Sequence, residues 1–272
     1  VSLSPSDNST ADNGSDYTLG SLITISAGSL SGNVTLSLID DNTTELSESI
    51  VVDISSVTGG NGASENGTQQ ASITLTDNDP VPEVKLSVSP ASLTEGAGGV
   101  TLTATQDLVS SAATIVSFSV SGNATRDSDY TIPSLSITIA AGSLSENATF
   151  TLLDDNVSEG TETIVIDTVS VSGGNGATDN STQQSITIQD NDTVGLVISE
   201  SSLAVSENGT TSATFTVKLR SEPTDSVVLI LSSSDEGEAI VSSSSVSSSS
   251  VSSSSTLSFS TTAWNTAQTV SV

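Results

Sequence analysis

Apolar residues alternate with serine and threonine along most of the chain. Val34, Leu36 and Leu38 fall on one face of an extended segment, and Thr35 and Ser37 on the other. A period of two marks a half-buried strand. Between residues 81 and 193 this alternation predicts seven strands, at 84–88, 99–105, 114–120, 134–140, 147–153, 162–170 and 184–189. No stretch carries the 3.6-residue period of an amphipathic helix. Seven short strands in about 110 residues predict an antiparallel β-sandwich.

The pattern recurs. Ser26-Ala27-Gly28-Ser29-Leu30-Ser31 returns as Ala140-Ala141-Gly142-Ser143-Leu144-Ser145. Gly59-Gly60-Asn61-Gly62-Ala63 returns as Gly173-Gly174-Asn175-Gly176-Ala177, and Gln69-Gln70 as Gln183-Gln184. A period near 113 residues is too long for a solenoid and suits autonomous β-domains in series. The expected domains are 1–80, which lacks its first strands and begins near the third at Val1-Ser2-Leu3; 81–193, complete; and 194–272, divergent and cut before its last strands. The expected chain is therefore a window from a longer array, or one whose missing strands come from neighbouring subunits. In the third domain, residues 195–199 and 215–219 read as the first two strands, and Asp235-Glu236-Gly237-Glu238 as the loop after the third. The serine tract from Val241 to Ser255 has too little apolar area for a core and reads as a flexible loop, with dense O-glycosylation as the sharper alternative.

Composition narrows the function classes. The chain has 32 acidic residues against Lys85, Arg126, Lys218 and Arg220, a net charge of −28. Such a surface repels nucleic acid and anionic membranes. No apolar run is long enough to insert in a bilayer. Cysteine and histidine are both absent, which removes disulfides, Cys/His zinc sites and Ser-His-Asp triads together. Asn-x-Ser/Thr sequons at Asn8, Asn13, Asn33, Asn42, Asn66, Asn123, Asn147, Asn156, Asn180, Asn191 and Asn208 mark candidate glycosylation sites.

The acids are not scattered. The first copy of the repeat carries Asp16-Tyr17, then Asp40, Asp41, Glu45 and Glu48, then Asp77-Asn78-Asp79. The second carries Asp129-Tyr130, then Asp154, Asp155, Glu159 and Glu162, then Asp190-Asn191-Asp192. If consecutive strands alternate in direction, the first, third, fifth and seventh end at one pole. The acidic loops follow those strands, with Glu95 after the first. Two carboxylates 4 Å apart repel by roughly 4 kcal/mol at an effective dielectric of about 20. A chain that repeats such a cluster points to a hard cation held by oxygen ligands, with Ca²⁺ first.

These motifs resemble the Calx-beta domain family, whose pattern runs Gly-Ser-Asp-Tyr, then Asp-Asp-(Asp/Asn)-x-x-Glu-x-x-Glu, then a closing acidic triplet. The resemblance implies an all-β fold of tandem Greek-key antiparallel β-sandwiches, Calx-beta or immunoglobulin-like, strung as beads. It implies Ca²⁺ on Asp16, Asp40, Asp41, Glu45, Glu48, Asp77 and Asp79 in the first repeat. In the second it implies Asp129, Asp154, Asp155, Glu159, Glu162, Asp190 and Asp192. A backbone carbonyl of the middle loop joins each set: Val157 in the second repeat, Thr43 or Thr44 in the first. Ser87 stands where calcium-binding members place a further acid on the first strand, and Asn78 and Asn191 replace the middle acid of the closing triplet.

Other chemistry is weaker. Gly173-Gly174-Asn175-Gly176 reads as a hairpin turn rather than a calcium nonapeptide, because it occurs once per domain. An EF-hand reading of Asp154-x-Asn156-x-Ser158 fails on the position of Gly160 and on Val165. Paired carboxylates without aromatic platforms do not make a sugar-cleaving cleft, so no enzyme is expected. The expected function is an extracellular structural or adhesive repeat protein: a glycosylated rod, stalk or filament on a cell surface, stiffened by Ca²⁺ at its domain junctions. Its partners are neighbouring domains or further copies head to tail. The alternatives are a regulatory Ca²⁺-sensor module and a ligand-binding adhesin segment.

Overall fold

A computed structural model of the chain describes residues 1–206, 211–243 and 254–272. Every helix-or-strand element among the described residues is a β-strand. Accordingly, no helix there is long and apolar enough to cross a membrane.

The first repeat contributes β1 (Ser2–Pro5), β2 (Tyr17–Leu19), β3 (Leu36–Leu38), β4 (Thr43–Thr44), β5 (Glu48–Ser56) and β6 (Gln70–Leu75). Strands β1, β5 and β6 form one sheet, and β2 pairs with β3. Their core is small: Ala11, Tyr17, Ile50 and Val52.

The second repeat contributes β7 (Glu83–Ser89), β8 (Ser92–Thr94), β9 (Gly99–Gln106), β10 (Val109–Ser110), β11 (Thr114–Gly122) and β12 (Tyr130–Thr131). It continues with β13 (Ser136–Ile139), β14 (Ser145–Leu152), β15 (Glu162–Gly173), β16 (Thr178–Asp179) and β17 (Gln184–Gln189). Two five-stranded sheets result, in the orders β13-β11-β15-β17-β8 and β12-β14-β9-β7-β16. Their inner faces meet in one core, with Val100, Leu102, Val116, Ile139, Phe150, Ile164, Ile166 and Ile186 sealed from solvent. All seven strands read from the alternation are present. The stretch expected at 134–140 is shorter, because the chain changes sheets there. Tyr130–Thr131 pairs with β14 in one sheet and Ser136–Ile139 with β11 in the other. Pro133 stands between them and has no N–H to extend a ladder.

The third repeat contributes β18 (Leu196–Ile198), β19 (Thr214–Leu219), β20 (Val227–Ser232), β21 (Ser242–Ser243), β22 (Ser254–Phe259) and β23 (Gln268–Ser271). The two strands expected at its start pair with each other, Leu196 opposite Leu219. The serine tract is not loop throughout. Its ends lie in β21 and β22, where Ser243 N–H donates to Ser255 Oγ at 2.9 Å; residues 244–253 lie outside the described residues.

Equivalent positions in the first two repeats show what β7 and β9 cover. Ile139, Leu152 and Ile186 are 0%, 3% and 0% exposed, while their counterparts Ile25, Leu38 and Ile73 are 49%, 58% and 40% exposed. Residues 1–80 hold no strands corresponding to β7 and β9.

Consecutive repeats touch through the loop between β3 and β5, or between β14 and β15. Thr43 and Thr44 pair in parallel with Val109 and Ser110. Val157, the counterpart of Thr43, bridges in parallel to Glu222.

Candidate metal centre

Each acidic pole is assembled from three loops, and the tyrosine of the Asp-Tyr pair fixes the first. Tyr130 is buried against Phe150, ring centroids 5.7 Å apart. Asp127 donates its N–H to the Tyr130 carbonyl at 2.8 Å and adopts φ 69°. Gly14 makes the same bond to Tyr17 at 2.8 Å with φ 112°. The aromatic ring is thereby anchored in the core while its neighbour, Asp129 or Asp16, is held at the pole. Each of these aspartates accepts the backbone N–H of the residue four positions earlier, Thr125 or Asp12.

The middle and closing loops are tied together by the closing triplet. Asp190 accepts the Glu159 N–H at 2.7 Å on one oxygen and the Asp192 N–H at 2.7 Å on the other. Asp77 does the same with Glu45 at 2.8 Å and Asp79 at 3.1 Å. Asn191 donates its amide to Asp154 at 2.7 Å, and Asn78 donates to Asp40 at 3.0 Å. Asp155 and Asp41 cap the turn after them, accepting the N–H of Val157 and of Thr43, each at 2.7 Å.

Among the described residues, three groups of carboxylates offer oxygens within 4.8 Å of one another: Asp16, Glu45 and Glu48; Asp129, Glu159 and Glu162; and Glu95, Asp190 and Asp192. The first two are the same constellation in the two repeats. The third contains Glu95, which the sequence put at this pole but not among the ligands. It leaves the turn after β8, is 9% exposed, and accepts the Asn191 N–H at 3.1 Å. Ser87, by contrast, sits mid-strand opposite Thr103, with an exposed side chain. The acid that joins the closing triplet thus comes from the turn after β8 and not from β7. In the first repeat all seven candidate acids line one cavity of about 40 Å³, room for an ion with a water or two.

Asp40, Asp41, Asp154 and Asp155 belong to none of the tight groups. They are exposed, and their oxygens serve the amides and turns just described. The Thr44 carbonyl faces the second repeat and accepts the Ser111 N–H at 3.1 Å and the Asn175 amide at 2.8 Å.

The clustered acids are strained as anions. Burial, then repulsion by and hydrogen bonding with Asp16, pushes Glu48 up to about 7. Burial, then the hydrogen bond and repulsion from Asp129, pushes Glu162 to about 7. Burial first and Asp129, Asp155 and Asp190 next raise Glu159. Burial also raises Glu95, against the Asn191 N–H. Burial works upward on Asp190 as well, but the N–H groups of Asp192 and Glu159 outweigh it and hold that carboxyl below its ordinary value. Glu48 Oε2 and Asp192 Oδ2 are buried oxygens without a hydrogen-bond partner. All-carboxylate donor sets with orphaned, mutually repelling oxygens fit a hard divalent cation and no soft one.

Acids at the opposite pole have ordinary structural work. Asp107 accepts the Glu83 N–H at 2.7 Å, and Asp179 the Ser181 N–H at 2.9 Å. Ten of the sequon asparagines, from Asn8 to Asn191, are exposed; Asn208 lies outside the described residues.

The model of the Calx-beta domain matches residues 1–79, 77–192 and 189–245. No curated protein sequence matches the chain. Among solved structures, the apo-form Calx CBD1 domain is 18% identical over 40% of this chain and 98% of that one, with a TM-score of 0.34. CBD12 from CALX1.2 is 14% identical over 68% of this chain and 73% of its own, with a TM-score of 0.35. Domains 1–6 of the surface layer protein SbsC are 13% identical over 99% of this chain and 46% of theirs, with a TM-score of 0.25.

Proposed function

The chain belongs to the Calx-beta domain family, in three successive matches, and from this we propose that it is an extracellular structural or adhesive array in which Ca²⁺ binds the acidic poles and stiffens the junctions. One observation carries the reading. Carboxylates from loops far apart in sequence converge within 4.8 Å at one pole, in the same arrangement in two repeats. Asp129, Glu159 and Glu162 would hold an ion in the second repeat, with Glu95, Asp190 and Asp192 beside them. Asp16, Glu45 and Glu48 would hold one in the first, with Asp77 and Asp79 at the same cavity. The ion neutralises charges that otherwise repel, and each pole abuts the next repeat through the loop that carries Glu45 or Glu159.

The setting is a cell surface, which the exposed sequons support: they would carry N-linked glycans without disturbing either core. A rod of such repeats, with copies continuing it head to tail, needs no catalytic group, and none is assigned. Calcium titration by calorimetry on the 272-residue chain tests the reading. The expected result is saturable binding with dissociation constants from ~10⁻⁴ to 10⁻³ M, the range of extracellular modules, and a melting temperature that rises with calcium. Affinity near ~10⁻⁶ M points instead to a regulatory sensor. Absence of binding, or binding without stabilisation, overturns the proposal.

A further inference from the structure

The two junctions use the same pieces and are not equally closed. At the first, the parallel ladder runs two residues, Val109 and Ser110 against Thr43 and Thr44. The Thr44 carbonyl is surrounded by the second repeat: Ser111 N–H at 3.1 Å, Ser110 Oγ at 3.3 Å and the Asn175 amide at 2.8 Å. The same Asn175 amide nitrogen reaches Ser111 Oγ at 2.9 Å. Thr44 and Ser110 are 2% and 0% exposed. Asn175 is aimed by its Gly-Gly-Asn-Gly turn, in which it adopts φ 53°. Gly174 adopts φ 55° in that turn, and a Cβ there would lie 2.3 Å from Thr114 Oγ1, so no other residue fits.

At the second junction the ladder stops after one rung, Glu222 N–H to the Asn156 carbonyl at 2.6 Å. The physical reason is in the sequence. Pro223 takes the place of Ser110 and brings no hydroxyl like the one that Ser110 gives the Thr44 carbonyl. Beside it lies a mostly apolar cavity of about 460 Å³ bordered by Ser158, Val194, Leu196, Glu222, Pro223 and Val227.

We infer that Ser110, Ser111 and Asn175 form a docking surface for the acidic loop of the preceding repeat. This latch narrows the calcium-dependent stiffening proposed above to the second junction, which becomes the hinge, because the first is held closed with or without calcium. The calcium half of this statement rests on the function proposed above; the latch does not. Asn175 acts as a positioning residue. It fixes the loop between Asp41 and Glu45, and by saturating the Thr44 carbonyl it keeps that oxygen off the ion.

The chain has no cysteine, so spin labels can be placed cleanly on the full protein. Ser72→Cys with Thr149→Cys spans the first junction, and Thr149→Cys with Ser258→Cys spans the second. Pulsed electron resonance reads the width of each distance distribution. Chelating calcium is expected to broaden the second at least twofold and leave the first unchanged. Asn175→Asp, which replaces the donor by an acceptor, is expected to broaden the first at least twofold. Ser110→Ala with Ser111→Ala, which leaves the glycine turn intact, should do the same if Asn175→Asp folds poorly. Asn61→Asp, in the equivalent but exposed turn of the first repeat, should change neither. First-junction widths unmoved by both latch variants overturn the latch. Latch variants that broaden the first junction while chelation leaves the second unmoved overturn the calcium hinge and leave the latch standing.

Discussion

Asn191 and Asn78 show how one atom decides the state of an acidic pole. Each donates its amide to the leading aspartate of the middle loop, Asp154 or Asp40. An acid at that position would supply another ligand but would repel that aspartate when no ion is present. Asn191→Asp is therefore expected to lower the melting temperature of the calcium-free protein and to raise calcium affinity about tenfold, roughly 1.4 kcal/mol. Calorimetric melting and titration check the two halves separately. Glu162 and Glu48 carry the pH dependence. Both are raised from the ordinary 4.5 to about 7, so between those values the calcium-free folded chain holds more protons than the unfolded one. Its stability is present below about pH 4.5 and lost as pH rises through 7. Calcium selects the ionised form, so its affinity should climb through the same window. Melting curves at pH 5 to about 8 with chelator, then with calcium, should slope in opposite directions. The sequence disclosed Glu162 and Asp129 because their motif repeats. It did not group Glu95 with the closing triplet, because that residue reaches Asp190 and Asp192 through the turn after β8, and the turn's direction is not encoded in spacing.

Strands were the most legible elements. Alternation located the seven longer strands of the second repeat, since side chains that alternate in burial leave a period of two. It missed β8, β10, β12 and β16, which span two or three residues each and are too short to show a period. Their pairing is decided by what lies alongside, as when Val109 meets Thr43 across a repeat boundary. Strand β20 shows the consequence of an open edge. It pairs with β22 on one side, and its outward Val228 and Ile230 are 58% and 75% exposed. A flat apolar edge invites association. Ile230→Lys should leave the melting temperature within about ±0.5 kcal/mol of equivalent stability and reduce concentration-dependent light scattering. Loss of folding would instead show that Ile230 is part of the core. At the complete sandwich, Phe150→Ala should cost about 3–5 kcal/mol, because its ring is fully buried.

At the scale of the molecule, charge governs. A net charge of −28 opposes compaction and approach of like poles. Calcium and simple salt would both relieve that repulsion, yet only an ion seated at a pole would engage the carboxylate oxygens that lie within 4.8 Å of one another. At matched ionic strength, CaCl₂ should raise the melting temperature well above MgCl₂ or NaCl. Magnesium demands near-ideal octahedral geometry and keeps its waters, and screening acts at a Debye length of about 8–10 Å. Equal shifts in all three salts would reduce the acidic poles to a diffuse charge effect.

Period-two alternation, the recurrence of glycine turns and the doubled acidic motif determined that the chain is all-β, repeated, and rich in hard-cation ligands. These properties follow from residue type and spacing, which local sterics and burial convert directly into strands and turns. Only the tertiary structure decided which oxygens meet. Asp40, Asp41, Asp154 and Asp155 stand at the poles but spend their oxygens on amide and backbone N–H groups, outside the tight groups, while Glu95 joins one. Tertiary structure also decided that a glycine-rich turn, Gly173-Gly174-Asn175-Gly176, closes on the Thr44 carbonyl of the repeat before it. That contact joins residues 131 positions apart. It depends on the angle between two sandwiches, which no local pattern carries.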